Sequence, residues 1–449
     1  MSEGAAPLPV AFPVADPAAR LGSAGGRIAA ALAWTLLVAF ALVTAGAVDP
    51  AAGAAISAFF LLHALLGSVA ARSEIPKAAR IAVAAAIVAC VVQLIPLPEA
   101  VRAILAPGPT SARADLRALG LQGSWAPISV DVGATVTECV LWAGAAAALA
   151  VLARPAGPPV GARLVVGLLV VLHGLAWLDL GVGTRILPLT HIEDPWGVGQ
   201  DALRHADFAG WLIDRNHWAA LGVILWPLAA LWASRGGPAR RAAGIAAAVA
   251  VVGSVLATKS RAGLGIVGLQ ALVVALVLAA RAPTRVRLAL LAVLVAGGVL
   301  ARGPIGSFLD RIREADVVGR TDLYAATSRL ALDSPALGWG MGSFQSTFPS
   351  VQPDGLLYKY SHAHSDPLEW IAGAGALGLV LVLALLAAIV HGARDRRASA
   401  LSRLLWTLAV AGGAAAACVE FPLHVPALRF VWLGVLFSGP PRDRGPVAG

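Results

Sequence analysis

Long apolar runs recur along the whole chain and give the first prediction. Twelve of them approach the roughly 20 residues that a helix needs to cross a hydrocarbon core about 30 Å thick. They cover residues 28–48, 52–71, 80–96, 134–153, 164–182, 216–234, 242–258, 262–280, 284–301, 367–390, 402–419 and 422–438. None alternates polar and apolar residues with a period of two, as a membrane β-strand does. The pattern predicts an all-α membrane protein with about 12 transmembrane helices.

One polar segment between the runs is much longer and less apolar than the others. It covers residues 302–366 and predicts a large loop outside the membrane. Within it, Gly319–Asp333 has the spacing of a short amphipathic helix, with Leu323 and Leu330 on one face. The glycine run at 338–342 predicts a tight turn rather than a nucleotide loop, because no strand precedes it and no Lys-Ser/Thr pair ends it.

Basic residues predict the orientation of the spans. They collect in alternate connections, and the short turns near Asp49 and Phe421 carry none. Because basic loops stay on the cytoplasmic side, both termini are predicted to be cytoplasmic. The predicted parts are a cytoplasmic tail at 1–27, transmembrane helices 1–9 at 28–301, the large outer loop at 302–366, transmembrane helices 10–12 at 367–438 and a cytoplasmic tail at 439–449.

Composition narrows the class of protein further. Of the 449 residues, 58% are hydrophobic and 13% are charged, whereas soluble domains carry about 25% charged residues. A soluble globular fold is therefore excluded, and so is a disordered chain, which would be poor in apolar residues. The three cysteines lie inside apolar runs and are expected to act as packing residues. The net charge of +9 follows mostly from the orientation signal, so no nucleic-acid partner is predicted.

Three polar clusters stand out on the predicted outer face: Asp214–His217, Lys259–Arg261 and Ser361–Asp366. Charge at membrane depth is costly, so it is usually paired or functional. Simpler explanations stay open for the first two clusters. The basic side chains of the second could reach lipid headgroups, and the arginine of the first could pair with the neighbouring aspartate.

The third cluster raises the question of a metal. His362 and His364 have a spacing that suits two metal ligands on an extended segment. No other His or Cys cluster is evident in the sequence, so we predict no metal and no cofactor. Asp366 and Glu369 follow closely, and they could either orient a histidine or lie solvated at headgroup level.

The same clusters carry a resemblance to a known family. His364-Ser365 is followed by nine residues, then by Gly375, two residues and Gly378. The upstream elements, in order, are Asp214-Arg-Asn-His-Trp-Ala219, Thr258-Lys-Ser-Arg-Ala-Gly263 and Gly319-Arg320. Together these motifs resemble the O-antigen ligase and polymerase superfamily of bacterial envelope glycosyltransferases. The chain departs from the commoner pattern at Ser365-Asp366-Pro367 and at Lys259, which bears on the branch of the superfamily more than on the chemistry.

The resemblance implies a GT-C-like fold and a metal-independent, inverting glycosyltransferase in the bacterial inner membrane. Such proteins move a glycan from undecaprenyl diphosphate to an acceptor hydroxyl at the periplasmic face, which for a ligase belongs to the lipid A core. By motif position, His364 is the base, and Arg261 and Arg320 bind the diphosphate, with Arg215 as a third. Guanidinium groups match phosphate oxygens bidentately, and imidazole is the commonest general base. The supporting positions are His362, His217, Asn216, Asp366 and Glu369.

Two kinds of alternative stay open. Within the superfamily, the protein could be an O-antigen or exopolysaccharide polymerase, or a protein O-oligosaccharyltransferase that modifies Ser or Thr. From another class, it could be a lipid or polysaccharide transporter or flippase whose arginines bind an anionic headgroup. Transporters often show repeated halves with helices broken at the midplane. Here the charged clusters gather at one face, beside a long outer loop, which favours an enzyme.

Overall fold

The computed structural model describes residues 50–67, 76–120, 123–152, 212, 214–285, 287–288 and 317–442. The predicted spans at 28–48 and 164–182 lie outside these residues. The same holds for most of the span at 284–301, for the tail at 1–27 and for the first part of the large loop.

The described chain is helical almost throughout. In chain order its α-helices are α1 Pro50–Gly67, α2 Lys77–Leu94, α3 Glu99–Leu105, α4 Pro107–Ala112, α5 Ala114–Ala118, α6 Val132–Leu152, α7 Arg215–Ser234, α8 Pro238–Thr258, α9 Arg261–Arg281, α10 Val317–Asp333, α11 Phe344–Thr347, α12 Asp366–Ala374, α13 Ala376–Ala393, α14 Ala400–Val419 and α15 Pro426–Ser438. Two 3-10 helices cover Phe348–Ser350 and Pro422–His424. Two short strands, β1 Leu97–Pro98 and β2 Trp125–Ala126, pair antiparallel.

Several of these helices can cross a membrane. Among the described residues, six are long and apolar enough: α2, α7, α8, α9, α13 and α14. Two further apolar helices, α6 and α15, contribute shorter segments. The protein is therefore a multi-pass helical membrane protein, and the total of about 12 spans stays a prediction.

The tenth predicted span, 367–390, is two helices rather than one, so this part of the prediction is wrong. Gly375 separates α12 from α13 with a backbone φ of +57°, a value that glycine adopts without strain. A Cβ at Gly375 would come 2.6 Å from the carbonyl oxygen of Pro335, and one at Gly378 would come 2.1 Å from that of Trp370. Both glycines of the sequence motif are therefore needed for packing, and α12 precedes the candidate span that begins at Ala376.

The amphipathic helix predicted at 319–333 is confirmed as α10, which begins at Val317. Its apolar face consists of Leu323, Ala326 and Leu330, each only 1% exposed. This face packs on a small core formed by the loop and α12, namely Trp339, Phe344, Phe348, Leu356, Ala363 and Ala372. The apolar face is thus covered by protein.

The glycine run forms the predicted tight turn. Gly338, Gly340 and Gly342 have φ values of +69°, +119° and +75°, which side chains with a Cβ rarely adopt. The amide of Gln93 in α2 donates to the carbonyl oxygen of Gly373 at 2.6 Å, at the end of α12. The side-chain oxygen of Gln93 also accepts from the N–H of Met341 in the turn at 2.9 Å, so α2 holds the turn and α12 in register.

The helix bundle has two chemically distinct ends. The start of α7, the turn between α8 and α9 and the end of α14 lie together at one end, as their contacts below show. The opposite end is rich in arginine. There Arg235 donates to the carbonyl oxygens of Pro441 and Arg442 at 2.9 and 3.0 Å, and Arg240 lies over the ring of Trp232 at 4.9 Å. The side of a membrane that each end faces stays a prediction.

Candidate active site

The first two polar clusters of the sequence meet at one end of the bundle. Asp214 caps α7 by accepting a hydrogen bond from the backbone N–H of Asn216 at 2.6 Å. Ser260 caps α9 by accepting from the N–H of Gly263 at 3.3 Å, and its hydroxyl donates to the side-chain oxygen of Asn216 at 2.7 Å. Such caps satisfy the N–H groups that a helix leaves unpaired in its first turn. The starts of α7 and α9 are therefore joined side by side.

This junction concentrates positive charge. Arg215 and Arg261 are the first residues of α7 and α9, and both are partly exposed. The amino-terminal end of a helix itself carries a partial positive charge. Lys259 lies between α8 and α9 with a φ of +51°, and its side chain is exposed. Two guanidinium groups, one ammonium group and two helix ends thus make this surface suited to an anion.

Glu420 joins two residues that the sequence motifs had singled out separately. It follows α14 directly, and its side chain is 3% exposed. Arg320 of α10 donates to Oε1 of Glu420 at 2.5 Å and to the carbonyl oxygen of Val419 at 2.9 Å. The Nδ1 atom of His364 lies 2.8 Å from Oε2 of the same carboxylate. One buried carboxylate therefore holds an arginine and a histidine side by side.

The backbone of His364 is also fixed from α10. Its φ of +51° lies in the left-handed region, which is uncommon for a residue with a side chain. The hydroxyl of Tyr324 donates to the carbonyl oxygen of His364 at 2.9 Å. Tyr324 stands four positions after Arg320, so both project from the same face of α10. One short helix therefore positions both the arginine and the histidine.

The charges of this group determine the tautomer of His364. Burial raises the pKa of Glu420, but the hydrogen bond from His364 and the charge of Arg320 outweigh burial and hold that pKa below its ordinary value. An ionised carboxylate only accepts hydrogen bonds, so Nδ1 of His364 carries the hydrogen. In the neutral imidazole the lone pair then lies on Nε2, on a side chain that is 28% exposed. This is the arrangement that a general base needs.

Phe421 lies next to Glu420 in the chain and contacts three imidazole rings. Its ring stacks on His362 at 4.4 Å between centroids and meets His364 edge-on at 4.9 Å. His217, near the start of α7, meets it edge-on at 4.7 Å. Phe421 thus joins the first polar cluster, Asp214–His217, to the third, Ser361–Asp366.

A second group of histidines and carboxylates lies beneath, in the interior. Glu369 contacts Nδ1 of His362 and Nε2 of His424, each at 3.1 Å, and accepts a hydrogen bond from the N–H of Ala363 at 2.8 Å. Asp366 hydrogen-bonds Nδ1 of His424. The side chains of His424, Glu369 and Asp366 are all at most 4% exposed. This buried network links the start of α12 to the turn before α15.

The buried network is an ion cluster with compensated charge. Burial lowers the pKa of His424, but Glu369 and Asp366 overcome it and raise this pKa to about 9. Burial raises the pKa of Glu369, and the charges of His424 and His362 reverse the effect and bring it to about 2. The pKa of Asp366 is raised because its burial outweighs the hydrogen bond with His424. His424 is therefore protonated near neutral pH.

Of the two alternatives for Asp366 and Glu369, the structure fits contact with a histidine, although not with His364. Both are buried, so they are not solvated headgroup-level charges. They hold His424 and His362, whereas His364 is held by Glu420. The ligand atoms of His362, Glu369 and His424 lie within 4.8 Å of one another, so these three could hold a metal ion. A metal would require neutral histidines, and the carboxylates around His424 favour its protonated form instead.

A bidentate ion pair supports the turn that carries His424. Arg429 of α15 donates to the two carboxylate oxygens of Glu138 at 2.8 and 3.0 Å, and its Nε donates to the carbonyl oxygen of Leu423 at 2.5 Å. The N–H of Leu423 donates to Asp366 at 2.9 Å. Two helices and α12 therefore fix the backbone beside the site.

Sequence reasoning missed several residues of this site. Glu420, Phe421, His424 and Tyr324 belong to none of the motifs that pointed to His364. One signal was present: Glu420 is an isolated acidic residue in the short turn between two apolar runs. Charge in such a turn is costly unless it is paired, so it could have been matched with an arginine of the outer loop.

The fold and the site together define a class of protein: a multi-pass helical membrane protein with cationic and acid–base groups gathered at one end of its bundle. Within that class, residues 246–383 match the family model Wzy_C, described as O-Antigen ligase. The match confirms the resemblance to the O-antigen ligase and polymerase superfamily and supports a membrane enzyme of that type. It includes Arg261, Arg320 and His364, whereas Arg215 and Glu420 lie outside it. No curated protein matches the chain.

Proposed function

We propose that the protein is an O-antigen ligase-like glycosyltransferase of the bacterial inner membrane. It takes a glycan from undecaprenyl diphosphate and transfers it, with inversion and without a metal, to a hydroxyl of the lipid A core at the periplasmic face. The observation that carries the proposal is the partly exposed His364 held by Glu420 directly beside Arg320.

The proton transfer follows from the tautomer of His364. The acceptor hydroxyl attacks the anomeric carbon, and its proton passes to Nε2 of His364. Glu420, bonded at Nδ1, stabilises the imidazolium ion that forms. A positioned general base contributes about 10²- to 10⁴-fold to a rate. His362 and His217 support this group through their contacts with Phe421.

The leaving group needs positive charge. When the bond between the anomeric carbon and the phosphate oxygen breaks, its electron pair goes to the diphosphate. Arg261 and Arg215 stand at the two joined helix starts, and Arg320 stands beside the base. Guanidinium groups bind phosphate oxygens through parallel hydrogen bonds and stay charged at any relevant pH. In a partly desolvated site such contacts stabilise developing charge far better than water does.

The acceptor decides between the branches of the superfamily. Polymerases and protein O-oligosaccharyltransferases would use the same donor and the same proton transfer with a different hydroxyl. A flippase would bind the diphosphate but would have no use for a base with its tautomer fixed by a buried carboxylate. The geometry at His364 therefore supports transfer over transport.

The test is transfer by protein purified in detergent. The protein is incubated with carrier-linked glycan and, in parallel, with lipid A core, a second carrier-linked glycan or a Ser/Thr peptide, without an energy source. New glycoconjugate on the lipid A core supports the proposal, and product on another acceptor reassigns the branch. If no acceptor is modified while intact carrier moves between the leaflets of proteoliposomes, the protein is a flippase and the proposal fails.

A further inference from the structure

The carboxylate of Glu420 has two partners that differ in charge. Oε1 accepts from Arg320, whose charge is permanent, and Oε2 bonds His364, whose charge depends on its proton. The side chains of Arg320 and His364 are 31% and 28% exposed, whereas Glu420 is 3% exposed. The carboxylate is therefore buried, and both of its partners are partly exposed.

A buried carboxylate needs a compensating positive charge. Removing the partner of a buried ion pair is strongly destabilising, because an uncompensated charge then stays in a medium of low polarity. Arg320 fills this need while His364 is neutral. If Arg320 leaves, a protonated His364 can take its place at the same carboxylate. The two cations are thus alternative partners of one anion.

We propose that Glu420 couples donor binding to the base: the diphosphate draws Arg320 away from Glu420, and the freed carboxylate then stabilises the proton that His364 accepts. This inference rests on the proposed function, since it requires a diphosphate donor. It makes Glu420 a positioning residue that acts through Arg320 and His364 without touching the substrate.

The coupling gives a balanced cycle. The acceptor proton moves to His364, the bond from the anomeric carbon to the phosphate oxygen breaks as the bond to the acceptor oxygen forms, and the electron pair goes to undecaprenyl diphosphate. When that product leaves, Arg320 returns to Glu420. The imidazolium ion then loses its compensating charge and releases its proton to water, which restores the neutral base. The base is fully supported only while donor is bound.

The coupling predicts opposite changes in binding and in turnover for Glu420→Gln. The neutral amide holds Arg320 less tightly, so inorganic pyrophosphate should bind about tenfold more tightly, because one charge-assisted hydrogen bond no longer has to be broken. Turnover should fall by about 100-fold, because the imidazolium ion loses its carboxylate. Pyrophosphate affinity is measured by calorimetry on the full chain in detergent with a chelator present, and turnover by the transfer assay.

Three variants separate the coupling from simpler effects. Glu420→Asp keeps the charge and should leave pyrophosphate affinity near that of the wild type. Glu99→Gln removes an exposed carboxylate and should change neither quantity. In an Arg320→Ala background, Glu420→Gln should no longer tighten pyrophosphate binding. Tightening that persists there would come from the loss of negative charge alone and would overturn the coupling.

The remaining outcomes are equally decisive. Wild-type protein that transfers glycan, together with a Glu420→Gln variant that binds pyrophosphate no more tightly, overturns the coupling and leaves the proposed function intact. Wild-type protein that neither transfers glycan nor binds pyrophosphate overturns both. If Glu420→Gln does not fold, the wild type and His364→Ala decide: pyrophosphate binding should take up more protons in the wild type, and equal proton uptake in the two proteins would overturn the coupling.

Discussion

Two groups of histidines and carboxylates come from neighbouring positions of the chain, and they differ in how far they are exposed. The His364–Glu420 pair is open, since its histidine is 28% exposed and contacts the carboxylate through Nδ1. The group of His424, Glu369 and Asp366 is closed, since each member is at most 4% exposed and the histidine is bonded at both nitrogens. The same residue types thus form a partly exposed pair and a buried group.

The difference separates a histidine that can act as a base from one that stabilises the fold. A histidine with both nitrogens engaged by carboxylates is held protonated and cannot accept a proton from a substrate. A histidine with one nitrogen engaged has its tautomer fixed and its other nitrogen free to react. We therefore expect the open pair to control turnover and the closed group to control stability.

Apart from the base itself, the largest effect is expected from the two arginines assigned to the diphosphate, Arg261 and Arg320. Arg261→Lys and Arg320→Lys each keep the charge and lose the planar fork, so transfer should fall by about 100-fold, as for a lost transition-state donor. Arg329→Lys, an exposed position on the same helix as Arg320, serves as the matched control and should transfer normally. Unchanged turnover in both site variants would rule out bidentate binding of the diphosphate.

The next effect concerns the closed group. Glu369→Gln leaves His424 with a single carboxylate, and removing one partner of a buried ion pair costs about 3 kcal/mol of folding free energy. The melting temperature in detergent should fall by several degrees, whereas Glu99→Gln, at a carboxylate that is 44% exposed, should leave it unchanged. A Glu369→Gln protein as stable as the wild type would mean that the network is not a stabilising one.

A smaller effect is the pH dependence of that stability. The pKa of His424 is raised from 6.5 to about 9, so its contribution is full below pH 6.5 and is lost as the pH rises through 9. The pKa of Glu369 is lowered from 4.5 to about 2, so its contribution is full above pH 4.5 and is lost toward pH 2. The raised pKa of Asp366 has the opposite sign and makes the acid limb shallower.

Melting curves recorded between pH 5 and pH 10 check the alkaline limb of this dependence, with His424→Gln as the comparison. The alkaline loss of stability should be reduced in the variant. An alkaline limb that is identical in both proteins would assign the loss to another group.

The smallest effect is expected from a chelator. His362, Glu369 and His424 could hold a metal, but Glu369 and Asp366 already favour the protonated form of His424. Transfer should therefore be unchanged after dialysis against EDTA, with the initial rate as the measurement. A rate that falls and is restored by one divalent cation would mean that His362, Glu369 and His424 hold a metal.

The sequence motifs identified His364 and Arg320, but not Glu420, the carboxylate that contacts both. His364 and Arg320 stood out because each belongs to a short pattern of fixed spacing. Glu420 is 56 positions from His364, and their contact depends on where α14 ends against the large loop. Such long-range contacts follow from tertiary packing, which spacing along one chain does not record.

Hydropathy located the described spans and misjudged one boundary. The run 367–390 is apolar throughout, so nothing in its composition marks the break at Gly375. The break follows from a close approach between Gly375 and the backbone of Pro335, in a distant part of the chain. The same break moves Glu369 out of the predicted span and into the closed group beneath the site.

The most direct test of the account is the initial rate of glycan transfer by His364→Ala. We expect it to be about 1,000-fold below the wild-type rate, within the range that a general base contributes. His391→Ala, at an exposed position in the last turn of α13, should transfer at the wild-type rate. A folded His364→Ala protein that transfers glycan at the wild-type rate would contradict the assignment of the open pair as the catalytic base.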